Sequence, residues 1–86
     1  MKELSYTITD PDGIHARPAG ILVKRMQEFP CNITITSGEK KADGKRLFAL
    51  MKMAVKKGMT ITITAEGEDE DSAIAAVAET LREAGL

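Results

Sequence analysis

The chain has no tryptophan, one tyrosine, two phenylalanines, one cysteine and one histidine among its 86 residues. The lone cysteine, Cys31, excludes an internal disulfide and a cysteine metal cluster. With 3% aromatic residues and no aromatic pair on any strand, an RNA-binding α+β domain that stacks bases is poorly supported. No apolar run is long enough to span a bilayer, and the opening "MKELSYTITD" alternates where a signal peptide would run continuously apolar. No membrane insertion is therefore expected, and a reducing cytoplasm is the expected compartment. Charge is balanced as well, with a formal net of -1, so nothing global points to nucleic acid or to an acidic membrane surface. Serines are few and no GxSxG turn occurs, which argues against a triad hydrolase. No second histidine or cysteine lies near His15, so neither a metal centre nor a cofactor is expected.

What is present suits a single domain over residues 1–86, with 43% hydrophobic and 29% charged residues and room for one modest core. Leu4, Tyr6 and Ile8 alternate with polar residues and predict a half-buried first strand, broken by "DPDG". Gly13 is free to take a positive backbone angle there. From Ala16 to Phe29, the residues Ala19, Leu22, Val23, Met26 and Phe29 recur at helical spacing, with Pro18 in the first turn and Pro30 as a stop. Cys31, Ile33 and Ile35 predict a second strand, and "SG" turns it into a short charged edge strand around Glu39–Ala42. Leu47, Leu50, Met51, Ala54 and Val55 then share one helical face, stopped by Gly58. Met59, Ile61, Ile63 and Ala65 alternate with threonines in the clearest strand. After the acidic run "EGEDEDS" comes a last helix whose inner face is read as Ile74, Val77, Ala78 and Leu81. Cys31, Met26 and Met53 are read as core. The order βαββαβα, with one apolar stripe per helix and one apolar face per strand, predicts α+β architecture. Its simplest form is a four-stranded antiparallel sheet with three helices on one face.

The one imidazole lies in "DGIHARPAG", between a turn signal and a helix start. Taken alone, His15 could be a surface or capping residue. Its neighbours favour chemistry. Backbone N–H groups at the start of the following helix, from Ala16 onward, point back towards it and make an anion site. The positive helix end also disfavours imidazolium, leaving a neutral nucleophile near pH 7. Arg17 offers a planar donor fork to a phosphate. A phosphoryl group on His15 would meet dipole, N–H groups and guanidinium together. The dipole term is only about 0.3–1 kcal/mol, so the group would be steadied without being trapped.

"GIHARPAG" resembles the active-site signature of the histidine-containing phosphocarrier family (HPr) of the bacterial phosphoenolpyruvate-dependent sugar phosphotransferase system. "ADGKRLFALMKMAVKKG" is similar to that family's second-helix region and "ITITAEGEDED" to its last strand and turn, so the likeness covers essentially the whole chain. The resemblance implies an open-faced β-sandwich. It also implies that His15 takes a phosphoryl group at Nδ1 from phosphorylated enzyme I and passes it to the IIA domains of sugar permeases. Such a protein is an intermediate in a transferase relay, without a substrate pocket of its own, and is expected as a monomer.

Arg17, Gly20, Ile21 and Lys24 recur on the helix side away from Ala19, Leu22 and Met26, where a solvated basic face is the plainer reading. Periodicity alone makes Leu47 and Met51 core, whereas Phe48 lies off the apolar stripe and is expected to be exposed. The resemblance favours a partner-binding surface of Gly20, Lys24, Arg46, Leu47, Phe48 and Met51 around His15. A competing reading keeps the fold but makes the chain a non-catalytic module that binds regulatory proteins through the 47–51 patch. Retention of both His15 and Arg17 speaks against that. One departure stands out: regulated family members carry a serine at the start of the second helix, and this chain has Arg46. Their serine-phosphate switch is therefore not carried over.

Overall fold

A computed structural model describes residues 1–86. Its elements are β1 (Lys2–Thr7), α1 (Ala16–Met26), β2 (Asn32–Ser37), β3 (Lys40–Asp43), α2 (Leu47–Lys52), β4 (Thr60–Glu66) and α3 (Glu70–Glu83). The strands form one antiparallel sheet in the order β1-β4-β2-β3. The alternation in the sequence sets its two faces. Leu4 pairs with Ile63 and Tyr6 with Ile61, while Ile33 pairs with Ala65 and Ile35 with Ile63, so one side is apolar throughout. All three helices lie over that side: α3 packs on β4 and β1, α2 on β3, and α1 between the other two helices. Leu22, Met26, Ile33, Ile35, Ile61, Ile63, Val77 and Leu81 are fully buried between the layers. Thr34, Thr36, Thr62 and Thr64 line the uncovered face and keep it wettable. The expected open-faced two-layer sandwich is the observed one, and β3 forms its charged edge.

Four details differ from the sequence reading. Helix α1 ends at Met26, because Glu28 and Phe29 bond back to the carbonyls of Arg25 and Met26 in a tightened turn, well before Pro30 acts. Helix α2 stops at Lys52 rather than running through Val55: Met53 caps it and Ala54 turns left-handed at φ 51°. Val55 is buried on its own account, and Ala54 is exposed. On α3 the buried face is Ala73, Ala76, Val77, Thr80 and Leu81, with Ile74 and Ala78 only half-covered, because small side chains let that helix sit close on the sheet. Leu47 is 38% exposed, so its helical spacing does not make it core. Cys31, Met26 and Met53 are buried as expected.

Candidate functional site

His15 is the N-cap residue of α1, extended at φ -105° and ψ 177°, and its side chain caps nothing. Its carbonyl accepts the N–H of Ala19 at 3.0 Å, which starts the helix without using the imidazole as a cap. Pro18, buried at the third helical position, has no N–H to offer. The donors left over at this helix end are the Ala16 and Arg17 backbone N–H groups, beside an exposed Arg17 side chain. The residues singled out as a phosphate site are thus contiguous on one turn. Gly20, half-buried, has open space where a side chain would project, and Ile21 and Lys24 are exposed.

The turn that precedes His15 is held from two directions. Gly13, at φ 66°, sits so close to the 53–58 loop that a Cβ there would lie 2.3 Å from the Val55 carbonyl oxygen. Ile14 donates its N–H to that same carbonyl at 3.0 Å. On the other side, the Thr9 and Asp10 N–H groups both donate to the carbonyl of Leu86, whose side chain is buried. The left-handed turn at Ala54 is what brings Val55 into position, so the early end of α2 is part of the site's construction.

Asp10 is a residue that the sequence reading passed over as part of a strand-breaking turn. Its Oδ2 lies 3.2 Å from His15 Nε2, and its Oδ1 accepts the Asp12 backbone N–H at 2.8 Å. The Asp12 N–H bond holds the Asp10 carboxyl below the usual carboxylate range; partial burial opposes this, and His15 reinforces it. The group is therefore ionised at neutral pH. Its side chain is 17% exposed against 43% for His15, so carboxylate and imidazole meet at the edge of solvent. Asp12 completes an acidic surround, with a carboxylate atom within 4.8 Å of both the Asp10 and His15 side-chain atoms.

The start of α2 is tied to the end of α1. Gln27 donates to the Lys45 carbonyl at 2.9 Å, and Lys45 Nζ donates to the Phe29 carbonyl at 2.5 Å. Arg46 is the α2 N-cap, unused as a side-chain cap, with Nε 3.7 Å from Asp43 Oδ2. Phe48 is 84% exposed, in agreement with its place off the apolar stripe. It lines a shallow groove of about 490 Å³ with Arg46, Leu47, Ala49 and Lys52, while Met51 is half-buried and packs against the core. Lys24 faces elsewhere, in a groove between α1 and α3 with Ile21, Arg25, Glu28, Glu79 and Glu83. The groove beside Arg46 is thus formed by α2 residues, without Lys24 or Gly20.

The sequence profile of the family described as "PTS HPr component phosphorylation site" matches residues 2–83. The chain belongs to the HPr phosphocarrier family. It is 44% identical to phosphocarrier protein HPr of Mycoplasma capricolum subsp. capricolum over 86 residues, covering 100% of this chain and 97% of that protein. The HPr of Lysinibacillus sphaericus is likewise 44% identical over 86 residues, with 100% of this chain and 98% of the relative covered. A solved histidine-containing phosphocarrier protein from Mycoplasma superposes with a TM-score of 0.94 at 43% identity, over 99% of this chain and 98% of that one. As an HPr, the chain is a phosphocarrier of the phosphotransferase system. No helix in it is long and apolar enough to cross a membrane.

Proposed function

We propose that His15 is the phosphoryl acceptor, taking the group from phosphorylated enzyme I and passing it to IIA domains. The observation that carries this is the half-exposed imidazole at the N-cap of α1, spared from capping and followed by free N–H donors and an exposed Arg17. A phosphoryl oxygen beside His15 would accept from the Ala16 and Arg17 N–H groups, and the guanidinium would supply a planar pair of further donors. No residue here has to move a proton to make the acceptor reactive. The protein's own part is to present, steady and release. Incubation with phosphoenolpyruvate and catalytic enzyme I should add the mass of one phosphoryl group, lost again on mild acid treatment. An acid-stable adduct, or none, would overturn the reading.

The partner surface we assign to the exposed α2 start, with Arg46, Leu47 and Phe48 foremost, the half-buried Met51 beside the core, and Lys24 and Gly20 as an outlying part on α1. An apolar side chain as exposed as Phe48, set among Arg46 and Lys52, suits an acidic partner that must dock and leave repeatedly. Arg46 brings a fixed positive charge to a place where a phosphorylatable serine would bring a negative one, so no ATP-dependent phosphorylation is expected at this position. Arginine at a helix N-terminus opposes the dipole by about 0.3–1 kcal/mol if unscreened, which makes a docking role the better explanation. Arg46→Ser should slow transfer to an acidic partner roughly two- to three-fold at low ionic strength, with the difference vanishing at high salt. The variant also releases Asp43 from its cation, adding to the effect. Stopped-flow transfer rates across a salt series test this, and a salt-independent change would assign Arg46 to the solvated surface instead.

A further inference from the structure

We infer that Asp10 is a positioning residue for His15: its carboxylate accepts a hydrogen bond from the Nε2–H and so keeps the ring in the tautomer whose Nδ1 lone pair is open to the phosphoryl group. This rests on the proposal that His15 is the acceptor, and adds to it what selects the reacting nitrogen.

The geometry is specific about direction. An ionised carboxylate is acceptor-only, so at the 3.2 Å contact between Asp10 Oδ2 and His15 Nε2 the ring nitrogen must donate. A neutral imidazole carries one N–H, and with that proton on Nε2 the other nitrogen is bare. Nδ1 has no hydrogen-bond partner in the protein, whereas Nε2 has one. Asp10 is itself fixed at three further points. Its Oδ1 accepts the Asp12 N–H at 2.8 Å, its carbonyl accepts the Gly13 N–H at 2.9 Å, and its own N–H donates to Leu86 at 3.2 Å. A carboxylate held so firmly holds the ring in turn.

The consequence for the step is simple. The Nδ1–P bond forms as the bond between phosphorus and the donor breaks, and the electron pair of that bond leaves with the donor. The proton on Nε2 stays where it is. The ring becomes cationic beside the Asp10 carboxylate, with Asp12 close to both and Arg17 on the helix side. On delivery, the P–Nδ1 electron pair returns to the ring and the neutral Nε2–H tautomer is restored. No proton has to enter or leave in either direction.

Asp10→Asn makes the idea testable, because it preserves shape and reverses one contact. The Asp12 N–H still needs an acceptor, so the amide oxygen stays there and the amide NH2 faces His15. That donor demands a lone pair on Nε2 and drives the proton to Nδ1. Since His15 is the only histidine, ¹⁵N NMR of histidine-labelled protein above the ring's titration range reads one imidazole. The parent should show a protonated Nε2 and a bare Nδ1, and Asp10→Asn the reverse. Phosphoryl acceptance by Asp10→Asn should fall about tenfold or more, since a wrong tautomer presents N–H where a lone pair is required. Asp10→Ala removes the turn contact altogether but imposes no tautomer, so it should lose less than Asp10→Asn, and Asp10→Glu should recover part of the rate. The inference is overturned if both rings show the same tautomer, if Asp10→Asn accepts phosphate at the parent rate, or if Asp10→Ala is the slower of the two. Should the parent itself accept no phosphoryl group, the carrier proposal fails, while the NMR measurement still decides Asp10's hold on the ring.

Discussion

Replacing His15 by alanine should abolish acid-labile phosphorylation by enzyme I and phosphoenolpyruvate while leaving the fold intact. The substitution deletes the only imidazole of the chain, so no second histidine can take over. It should cost little stability, because the side chain is 43% exposed and caps no backbone group. Changes at such positions usually stay within about 0.5 kcal/mol. The helix start survives as well, since the bond from Ala19 runs to the His15 carbonyl, which alanine retains. Mass measurement of phosphoryl content, paired with thermal melting, separates the two quantities. Residual labelling at the parent level would place the acceptor elsewhere, and a collapsed melting transition would mean that the imidazole is structural.

Gly13→Ala should have the opposite signature, a large loss of stability in a protein that keeps its histidine. At φ 66° an L-residue with a Cβ is strained by about 1–2 kcal/mol. The new methyl would also lie 2.3 Å from the Val55 carbonyl oxygen and 2.7 Å from Lys56 Cα, both backbone atoms with little freedom to yield. Overpacking of that kind adds about 1–3 kcal/mol. A loss of about 3 kcal/mol, out of a total of about 5–15 for a typical domain, should lower the melting temperature by at least about 10 °C, at roughly 4–8 °C per kcal/mol. The strain falls on the contact where Ile14 bonds to Val55, so phosphoryl transfer should fall even below the melting point. A variant that melts within about 4 °C of the parent would show that the turn and the loop can part at little cost.

The strands were legible because isoleucine–threonine alternation has one physical solution, a half-buried pleat, and Ile33, Ile35, Ile61 and Ile63 all sit where it demands. Phe48 was legible by being out of step with its neighbours. The end of α2 was not. Leu47, Leu50, Met51, Ala54 and Val55 keep helical spacing, yet the chain leaves the helix so that Val55 can take the Ile14 N–H, a contact made across the fold and invisible to periodicity. On α3, hydrophobicity favours Ile74 while close packing favours Ala73 and Ala76, and packing prevails. Asp10 did leave a trace. An Asp two residues before a backbone N–H is the pattern of an Asx turn, which fixes one carboxylate oxygen. What no local pattern gives is that the other oxygen reaches the ring five positions later.

The strand order also governs when the site can exist. In β1, Thr7 pairs with Thr60 and Lys2 with Ala65, partners separated by 53 and 63 positions along the chain. Only β2 and β3 meet through a local hairpin, at Ser37 and Lys40. During synthesis, the first strand therefore waits unpaired until β4 has been made, and the loop bearing Asp10 waits longer still for Leu86. The segment "DGIHARPAG" is complete early and organised late. With His15 proposed as the phosphoryl acceptor, a nascent or clipped chain that carries it but lacks the last strand and helix would have the imidazole without the scaffold, so competence for phosphoryl transfer should arrive only with the closing of the sheet.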